Sequence, residues 1–315
     1  DPARVMDYSH PQKFTVTSED GNWHKEYSVI IDTFDLPLRY DFEHYELNET
    51  EKYQVFFEET QGTALFKQYI WASGNSGFAL TGVGRNPQEY PTVSIENGID
   101  GSRAIKLETK STGQFGETVK MPIAAGNLFL GSFDVNNAVQ KPLKATRFGL
   151  PFGKKPLQLK GYYKYTPGTQ PFKAKDKNGN TVTIPGQEDE GDIYAVLYEA
   201  AELDGKALDG NNVLTSKNIV ALARVEVEKK DEFTAFHVDF HYGSRIPIDW
   251  PKFIQDQRDP SDDGTDKYLP FREEKMKNYE YNLAVVFTSS KYGAYFAGSV
   301  GSTLCIDKVE IVCEK

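Results

Sequence analysis

The sequence predicts an all-β protein in which two packed sheets form one large sandwich. Aromatic residues make up 13% of the chain, with 18 Tyr and 20 Phe, and aromatic side chains favour the pleated surface of a strand. About ten short apolar or alternating runs are separated by Gly, Pro, Asn and Asp, and no run has the length and period of a long helix. That number of strands is enough for two sheets, and 315 residues can bury the core between them.

The first predicted element is a β-hairpin at Lys13–Ile31. Two β-rich runs flank the turn Glu19–Asp20–Gly21–Asn22, and Asp-Gly is a strong hairpin signal. Because a lone hairpin is only marginally stable, we expect residues 1–32 to be the closing strands of a domain that begins upstream. The chain starts at Asp1 without an initiator Met or a signal sequence, so we expect a processed or trimmed piece.

Residues 33–315 are predicted to form the sandwich. Two long loops, Thr166–Gly191 and Pro247–Tyr279, exceed ordinary connections, and loops of this length commonly carry function. We expect them to wall a site at one end or along one face of the sandwich. The predicted strands are Arg39–Phe42, Phe78–Gly82, Ala104–Thr109, Asn127–Phe133, Leu157–Tyr165, Asp192–Ala200, Ile219–Val227, Phe233–Tyr242, Asn282–Ser289 and Thr303–Val312.

Charge and cysteine content narrow the classes of function. The chain has 36 basic and 46 acidic residues and a formal net charge of -10, which opposes the binding of nucleic acid phosphates. No stretch has the 18 or more apolar residues of a transmembrane helix. Cys305 and Cys313 lie too far apart along one straight strand to form a disulfide, so we expect buried thiols.

Seven segments of the sandwich region resemble a known family. The similarity extends over nearly all of Asp32–Lys315 and identifies the region as a member of the putative carbohydrate metabolism domain family of Bacteroidetes surface proteins. It implies a jelly-roll β-sandwich, an extracytoplasmic location and genes near glycan-degrading systems, but no established reaction. The matching segments are YDFE at Tyr40–Glu43, WASGNSGFAL at Trp71–Leu80, GSRAIKLET at Gly101–Thr109, GNLFLGSF at Gly126–Phe133, Phe148–Gly168, DIYAVLYEA at Asp192–Ala200 and Val285–Val312.

The segment before the sandwich has a second resemblance. The run VMDYSHPQKFTVTSEDGNWHKEYSV, at Val5–Val29, is similar to the closing strands of immunoglobulin-like domains that precede carbohydrate-related modules in the same bacteria. It implies that residues 1–32 are an immunoglobulin-like β-sandwich remnant. Within the sandwich region the sequence departs from the family at Cys305, where similar closing strands often have Tyr or another large apolar residue; we expect this to alter packing more than chemistry.

Sugar binding needs an aromatic face for the apolar side of the ring and polar side chains for the hydroxyls. Trp71 and Asn75 provide both within a Gly-rich turn, although the residues fit a core aromatic and a turn former equally well. Strand alternation makes Tyr163 and Tyr165 candidate ring platforms on one face. The leucines on that face favour core packing for at least one of these tyrosines.

A loop after an apolar strand supplies further candidates. Ser290 and Tyr292 lie in the segment Ser289–Phe296, which joins hydroxyl, cationic and aromatic groups, and Arg147 is available from another loop. Such a mixture suits hydroxyl recognition, and a solvated turn explains it almost as well.

The sequence does not identify catalytic residues. A glycosidase needs two carboxylates about 5 to 9 Å apart, and the ExDxxE signature of one jelly-roll glucanase family is absent, as are a serine nucleophile elbow and HExxH. His237, Asp239 and His241 share one face of a strand, but a solvated face explains them better than zinc does. Asp307 and Glu43 could hold a structural calcium, although hydrogen-bonded carboxylates are the simpler interpretation.

We therefore expect a carbohydrate-binding protein that needs no cofactor and works at the cell surface or in the periplasm. Its predicted partner is an oligo- or polysaccharide, and a lipid anchor upstream of Asp1 fits this location. Two alternatives stay open: a glycoside hydrolase with two unidentified carboxylates, and a structural adhesin module. A pocket lined by Trp or Tyr without facing carboxylates would favour binding.

Overall fold

The computed structural model of the protein describes residues 12–29, 35–61, 65–203 and 207–315. The chain divides into two units, residues 1–36 and 37–315. In the first, β1 (Gln12–Thr17) pairs antiparallel with β2 (His24–Val29). The turn is the predicted one: Gly21 has a φ of 71°, and Asp20 accepts a hydrogen bond from the Asn22 N–H at 3.1 Å. The last two residues of the predicted hairpin lie outside the described residues, and the immunoglobulin-like origin of this unit stays a prediction.

The second unit consists mainly of short strands. All predicted strands except Phe78–Gly82 coincide with observed strands to within a few residues. The observed strands are β3 (Arg39–Tyr40), β4 (Tyr45–Leu47), β5 (Gln54–Phe56), β6 (Glu58–Gln61), β7 (Leu65–Gln68), β8 (Trp71–Ala72), β9 (Thr92–Ile95), β10 (Ala104–Glu108), β11 (Lys110–Ser111), β12 (Ile123–Ala124), β13 (Asn127–Phe133), β14 (Thr146–Phe148), β15 (Leu150–Pro151), β16 (Pro156–Thr166), β17 (Lys173–Lys175), β18 (Thr181–Thr183), β19 (Asp192–Glu199), β20 (Ile219–Val225), β21 (Lys230–Asp239), β22 (His241–Tyr242), β23 (Tyr281–Thr288) and β24 (Thr303–Cys313).

Two antiparallel sheets contain the long strands. The six-stranded sheet has the order β21-β16-β24-β10-β9, with β3 also pairing with β24. The eight-stranded sheet has the order β14-β13-β23-β19-β20-β22, and β8 and β15 pair with β13 and β23. The predicted all-β sandwich is confirmed.

The helices are short and lie in the connections. They are α1 (Asn75–Ala79), α2 (Gly113–Thr118), α3 (Lys252–Gln255) and α4 (Glu273–Lys277). The predicted strand Phe78–Gly82 is wrong, because the Phe78 N–H donates to the Gly74 carbonyl at 2.9 Å and closes a helical turn. A short apolar run next to glycines does not distinguish a strand from one turn of helix.

The core between the sheets follows strand alternation. In β16, Leu159, Tyr163 and Tyr165 are buried while the residues between them are partly exposed, Gly161 apart. Phe287 from β23 is fully buried, with its ring 6.1 Å from the Trp71 ring and 6.3 Å from that of Phe42. Aromatic packing therefore fills this end of the core.

The opposite face of the eight-stranded sheet is also buried. All eight residues of β19 are buried. The residues on this second face form the outer cluster, which segments 200–203, 207–218 and 243–279 cover, with Leu208, Val213 and Tyr268 packed onto the strands. Its members are Phe129, Phe148, Tyr194, Val196, Tyr198, Leu208, Val213, Ile219, Leu222, Tyr268, Ala284 and Val286.

The two long loops predicted from the sequence meet in a second group, the loop cluster. Phe172 and Ala174 come from Thr166–Gly191, and Ile254 comes from Pro247–Tyr279. They pack with Tyr295 and Ala297. The two loops therefore pack together as part of the fold.

We predict that Phe287→Ala lowers the free energy of unfolding by about 3 to 5 kcal/mol, because it leaves a cavity among buried aromatic rings. Chemical denaturation measures this loss. The control is Leu157→Ala, at a side chain that is 39% exposed, which should stay within about 0.5 kcal/mol of the parent. Equal effects of the two substitutions would contradict this description of the core.

Candidate functional site

A cleft of about 200 Å³ opens on the covered face of the eight-stranded sheet. Its floor contains Phe129, Tyr194 and Val286, which adjoin one another because Val286 pairs with both of the other residues in the sheet register. Asp192 and Thr288 also line the cleft and pair with each other. The cleft thus lies where the cover over the outer cluster is incomplete.

The walls of the cleft come from separate connections. One wall is formed by α1 and α2, and a second by residues 138–148 and 210–215. Gly77 in α1 permits a close approach, because a Cβ there would lie 3.1 Å from the Phe133 ring. The third wall comes from Trp250 and the segment 290–296.

Trp250 is a partly buried aromatic side chain whose position is fixed from behind. The Arg258 guanidinium lies 4.6 Å from the centroid of its ring, and Arg258 Nη2 donates to both carboxylate oxygens of Asp263, at 2.7 and 2.8 Å. The rings of Tyr292 and Tyr295 contact Trp250 at centroid distances of 6.3 and 6.4 Å. A ring held in this way can meet a ligand with little further loss of side-chain entropy.

Asp192, an acidic residue that lines the cleft, forms an ion pair with Arg224. Arg224 donates from Nε to Asp192 Oδ1 at 3.0 Å and from Nη2 to Oδ2 at 2.7 Å. The Asp192 side chain is only 3% exposed. Bidentate pairing of this kind satisfies a buried carboxylate and fixes its orientation.

A buried polar network positions Ser290 at the cleft. Asp189 Oδ2 accepts hydrogen bonds from the Ser290 hydroxyl at 2.6 Å, the Ser302 hydroxyl at 2.7 Å and the Ser299 N–H at 2.8 Å. Thr109 contacts Ser290 through the two hydroxyl oxygens at 2.6 Å. Burial raises the pKa of Asp189 to about 6 despite these donors. The network ties the end of one long loop to the segment that lines the cleft.

Trp71 and Asn75, the first sequence candidates, lie in the core. Trp71 packs edge-on against Tyr40 at 5.0 Å and donates its indole N–H to Glu58 at 2.7 Å. The Asn75 amide donates to the Thr92 carbonyl and accepts from the Thr92 N–H, which joins α1 to β9. Since both side chains are buried and engaged, we do not place them in the candidate site.

Tyr163 and Tyr165 are also interior. The Tyr163 hydroxyl accepts from the Glu228 N–H at 3.2 Å, and the Tyr165 hydroxyl donates to the Ser289 carbonyl at 3.3 Å. Both rings are buried. The structure therefore favours core packing for both tyrosines.

The remaining candidates are only partly brought together. Ser290 lines the cleft, and Tyr292 lies behind Trp250 with its ring 5.8 Å from that of Phe253. Arg147 is an exposed residue of β14 that donates to Asp134 at 2.9 Å, and it does not line the cleft.

The sequence candidates do not include Trp250 or the Asp192–Arg224 pair, whereas Tyr295 lies in the candidate segment Ser289–Phe296. A signal for Trp250 was available, because it lies in the long loop Pro247–Tyr279 that the sequence marks as functional. No local signal joins Asp192 to Arg224, which lie on separate strands.

The calcium candidates stabilise one loop. Asp307 accepts from the Ile99 N–H at 2.7 Å and the Ser102 hydroxyl at 2.9 Å, and Glu43 accepts from the Arg103 N–H at 3.0 Å. In residues 12–29, 35–61, 65–203 and 207–315, no group of three or more His, Cys, Asp or Glu is placed to hold a metal ion.

None of the helices described is long and apolar enough to cross a membrane. Cys305 and Cys313 are free thiols, of which Cys305 is buried and Cys313 partly buried.

The fold is a two-sheet β-sandwich with an aromatic-lined cleft over one sheet. Residues 41–312 match the family described as putative carbohydrate metabolism domain. The chain belongs to this family, which confirms the resemblance seen in the sequence.

Two solved structures are similar over most of the chain. A Bacteroides thetaiotaomicron protein described as a putative glycoside hydrolase is 42% identical, with a TM-score of 0.73, and the match covers 98% of this chain and 80% of that one. A Bacteroides vulgatus protein with the same description is 34% identical, with a TM-score of 0.70, and the match covers 90% of this chain and all of that one. No curated protein matches.

We predict that Arg224→Met destabilises the fold by about 3 to 5 kcal/mol, because it leaves the Asp192 carboxylate buried without its partner. Thermal and chemical denaturation measure this effect. The double variant Arg224→Met/Asp192→Leu should recover most of the loss, since no buried charge remains. A double variant as unstable as the single one would contradict an ion-pair origin.

We predict that the buried carboxyl group of Glu58 makes the free energy of unfolding depend on pH. Burial raises its pKa to about 7, so between its usual pKa and 7 the folded state keeps a proton that the unfolded state has released. The free energy of unfolding should therefore fall as the pH rises from about 4.5 to 7.

Glu58→Gln should remove this component and stabilise the protein at pH 8 by up to about 3 kcal/mol. The glutamine oxygen can still accept from Trp71. Denaturation curves at pH 5 and pH 8 measure the difference, and parallel pH profiles for parent and variant would contradict the prediction.

Proposed function

We propose that this protein binds carbohydrate in the cleft without cleaving it. The observation that carries the proposal is that the cleft presents Trp250, Tyr194 and Tyr295, together with hydroxyl groups, while Asp192 is held by Arg224. Aromatic faces contact the apolar side of a sugar ring, and hydroxyls exchange hydrogen bonds with its substituents.

We propose that the cleft is not catalytic because glycosidases need a pair of carboxyl groups. They use two carboxyl groups about 5 to 9.5 Å apart, one of which gives up a proton during the reaction. Among the described residues that line the cleft, Asp192 is the one acidic side chain. Both of its oxygens accept from Arg224, which fixes its orientation, and a second carboxyl group to act with it is not among these lining residues.

Glycoside hydrolysis is the competing function. The two similar structures carry the description of putative glycoside hydrolases, and at 42% and 34% identity they support a role in glycan utilisation for this chain. Release of reducing ends from a bound glycan distinguishes hydrolysis from binding.

We also propose that the protein works outside the cytoplasm, at the cell surface or in the periplasm, with a lipid anchor upstream of Asp1. Both related proteins are described as putative glycoside hydrolases, which supports a role with glycans, and polysaccharides are met outside the cytoplasm before import.

We infer that the sandwich is a jelly roll. Eight long strands form the two quartets β21-β16-β24-β10 and β13-β23-β19-β20. Along the chain, the connections between successive members of this set cross from one sheet to the other, except from β19 to β20. This alternation supports two interlocking Greek keys.

We predict that Trp250→Ala weakens glycan binding about tenfold or more, because it removes the aromatic contact. A screen on a glycan array, followed by calorimetry on the best glycan, measures the change. The matched control is Tyr69→Ala, at an aromatic ring that is 51% exposed and does not line the cleft, which should leave affinity unchanged.

Melting temperatures of both variants show whether they remain folded. Unchanged binding by folded Trp250→Ala would contradict the placement of the site. Release of reducing ends by the parent protein would contradict the non-catalytic proposal.

A further inference from the structure

The wall formed by α1 and α2 offers apolar surface to a ligand. Phe78, Phe115, Val119 and Met121 line the cleft from this side. Thr112, one of the hydroxyl residues in the same wall, donates to the Met121 carbonyl of its own loop.

The other hydroxyl in this wall is engaged in the same way. Thr81 donates to the Phe78 carbonyl at 2.7 Å. Val139 and Pro142, from the wall formed by residues 138–148 and 210–215, add further apolar lining. A sugar ring alone would leave most of this apolar surface without a complementary partner.

The apolar surface continues onto the rim of the cleft. Leu80 is exposed and lies between Phe78 and Thr81, which both line the cleft. Val83 is exposed and approaches Gly113 at the start of α2, where a Cβ would lie 3.0 Å from it. Phe115 itself is 41% exposed. Exposed apolar residues in the segments that line a cleft add to the apolar surface that a ligand can contact.

Among the described residues, the two charged side chains that line the cleft, Asp192 and Lys291, are paired. Lys291 donates to Glu190 at 2.7 Å, and Arg224 is committed to Asp192. An acidic ligand would have to compete with these carboxylates, so the cleft favours a neutral ligand.

We infer that the ligand is a neutral glycan carrying an apolar substituent, such as an acyl or alkyl group, which packs between the α1–α2 wall and Val139. The inference rests on the proposed function and adds the class of glycan. The sugar contacts Trp250 and the segment 290–296, and the substituent fills the apolar side of the cleft.

The test compares methyl and hexyl β-glycosides of glucose, galactose, mannose and N-acetylglucosamine, with 1-hexanol as the probe without a sugar, by calorimetry on the full chain. For at least one sugar, the hexyl glycoside should bind about tenfold or more tightly than the methyl glycoside, since each buried methylene adds up to about fourfold in affinity. 1-Hexanol should bind more weakly than that hexyl glycoside.

The variants separate this inference from the proposed function. Phe115→Ala should abolish most of the hexyl advantage, whereas Trp250→Ala should weaken binding of both the methyl and the hexyl glycosides. Leu157→Ala is the matched control, because its side chain is 39% exposed, close to the 41% of Phe115, and lies outside the cleft.

Three results would overturn the inference. If hexyl and methyl glycosides bind equally and Trp250→Ala weakens both, the proposed function stands and the apolar substituent is refuted. If 1-hexanol binds as tightly as the hexyl glycosides and its binding is unchanged in Trp250→Ala, both the proposed function and this inference are refuted. A hexyl advantage that survives in folded Phe115→Ala would refute the placement of the substituent.

Discussion

Burial of both faces of the eight-stranded sheet is the constraint on which the rest of the structure depends. A strand with two apolar faces needs two covers, because apolar surface left in water opposes folding. The six-stranded sheet covers one face of β19. The second cover is made of loops, and Leu208, Val213 and Tyr268 from segments 207–218 and 243–279 complete it. The long connections are therefore part of the core, and the cleft lies where this cover stops.

The same cover determines how rigid the candidate site is. Trp250 packs against the loop cluster, in which Phe172 and Tyr295 come from different connections, and Arg258 fixes its rear face. On the other side, Asp189 holds Ser290 through a hydrogen bond of 2.6 Å. Because groups distant in sequence hold the contact residues, the cleft is organised before a ligand arrives, which reduces the entropy lost on binding.

Local signals predicted much of the fold and little of the site. The Asp-Gly turn of the hairpin and the alternation in β16 depend on neighbouring residues, and alternation correctly placed Tyr163 and Tyr165 on the same face as Leu159. Whether such a face meets the core or a ligand depends on partners distant in the chain. Trp71 is interior because Tyr40 and Phe287 surround it, and no spacing in the sequence reveals this contact.

The apolar character of the cleft explains why the charges around it are paired. Where water is largely excluded, an unpaired charge is costly, and the ion pairs Asp192–Arg224, Lys291–Glu190 and Arg258–Asp263 each neutralise a group around the site. Hydroxyl groups and aromatic rings are left to contact a ligand, and these are the groups that recognise neutral sugars. Pairing also opposes acid–base catalysis, because a catalytic carboxylate must exchange a proton during the reaction. The pairing that supports our proposal of a neutral glycan with an apolar group thus also argues against hydrolysis in the cleft.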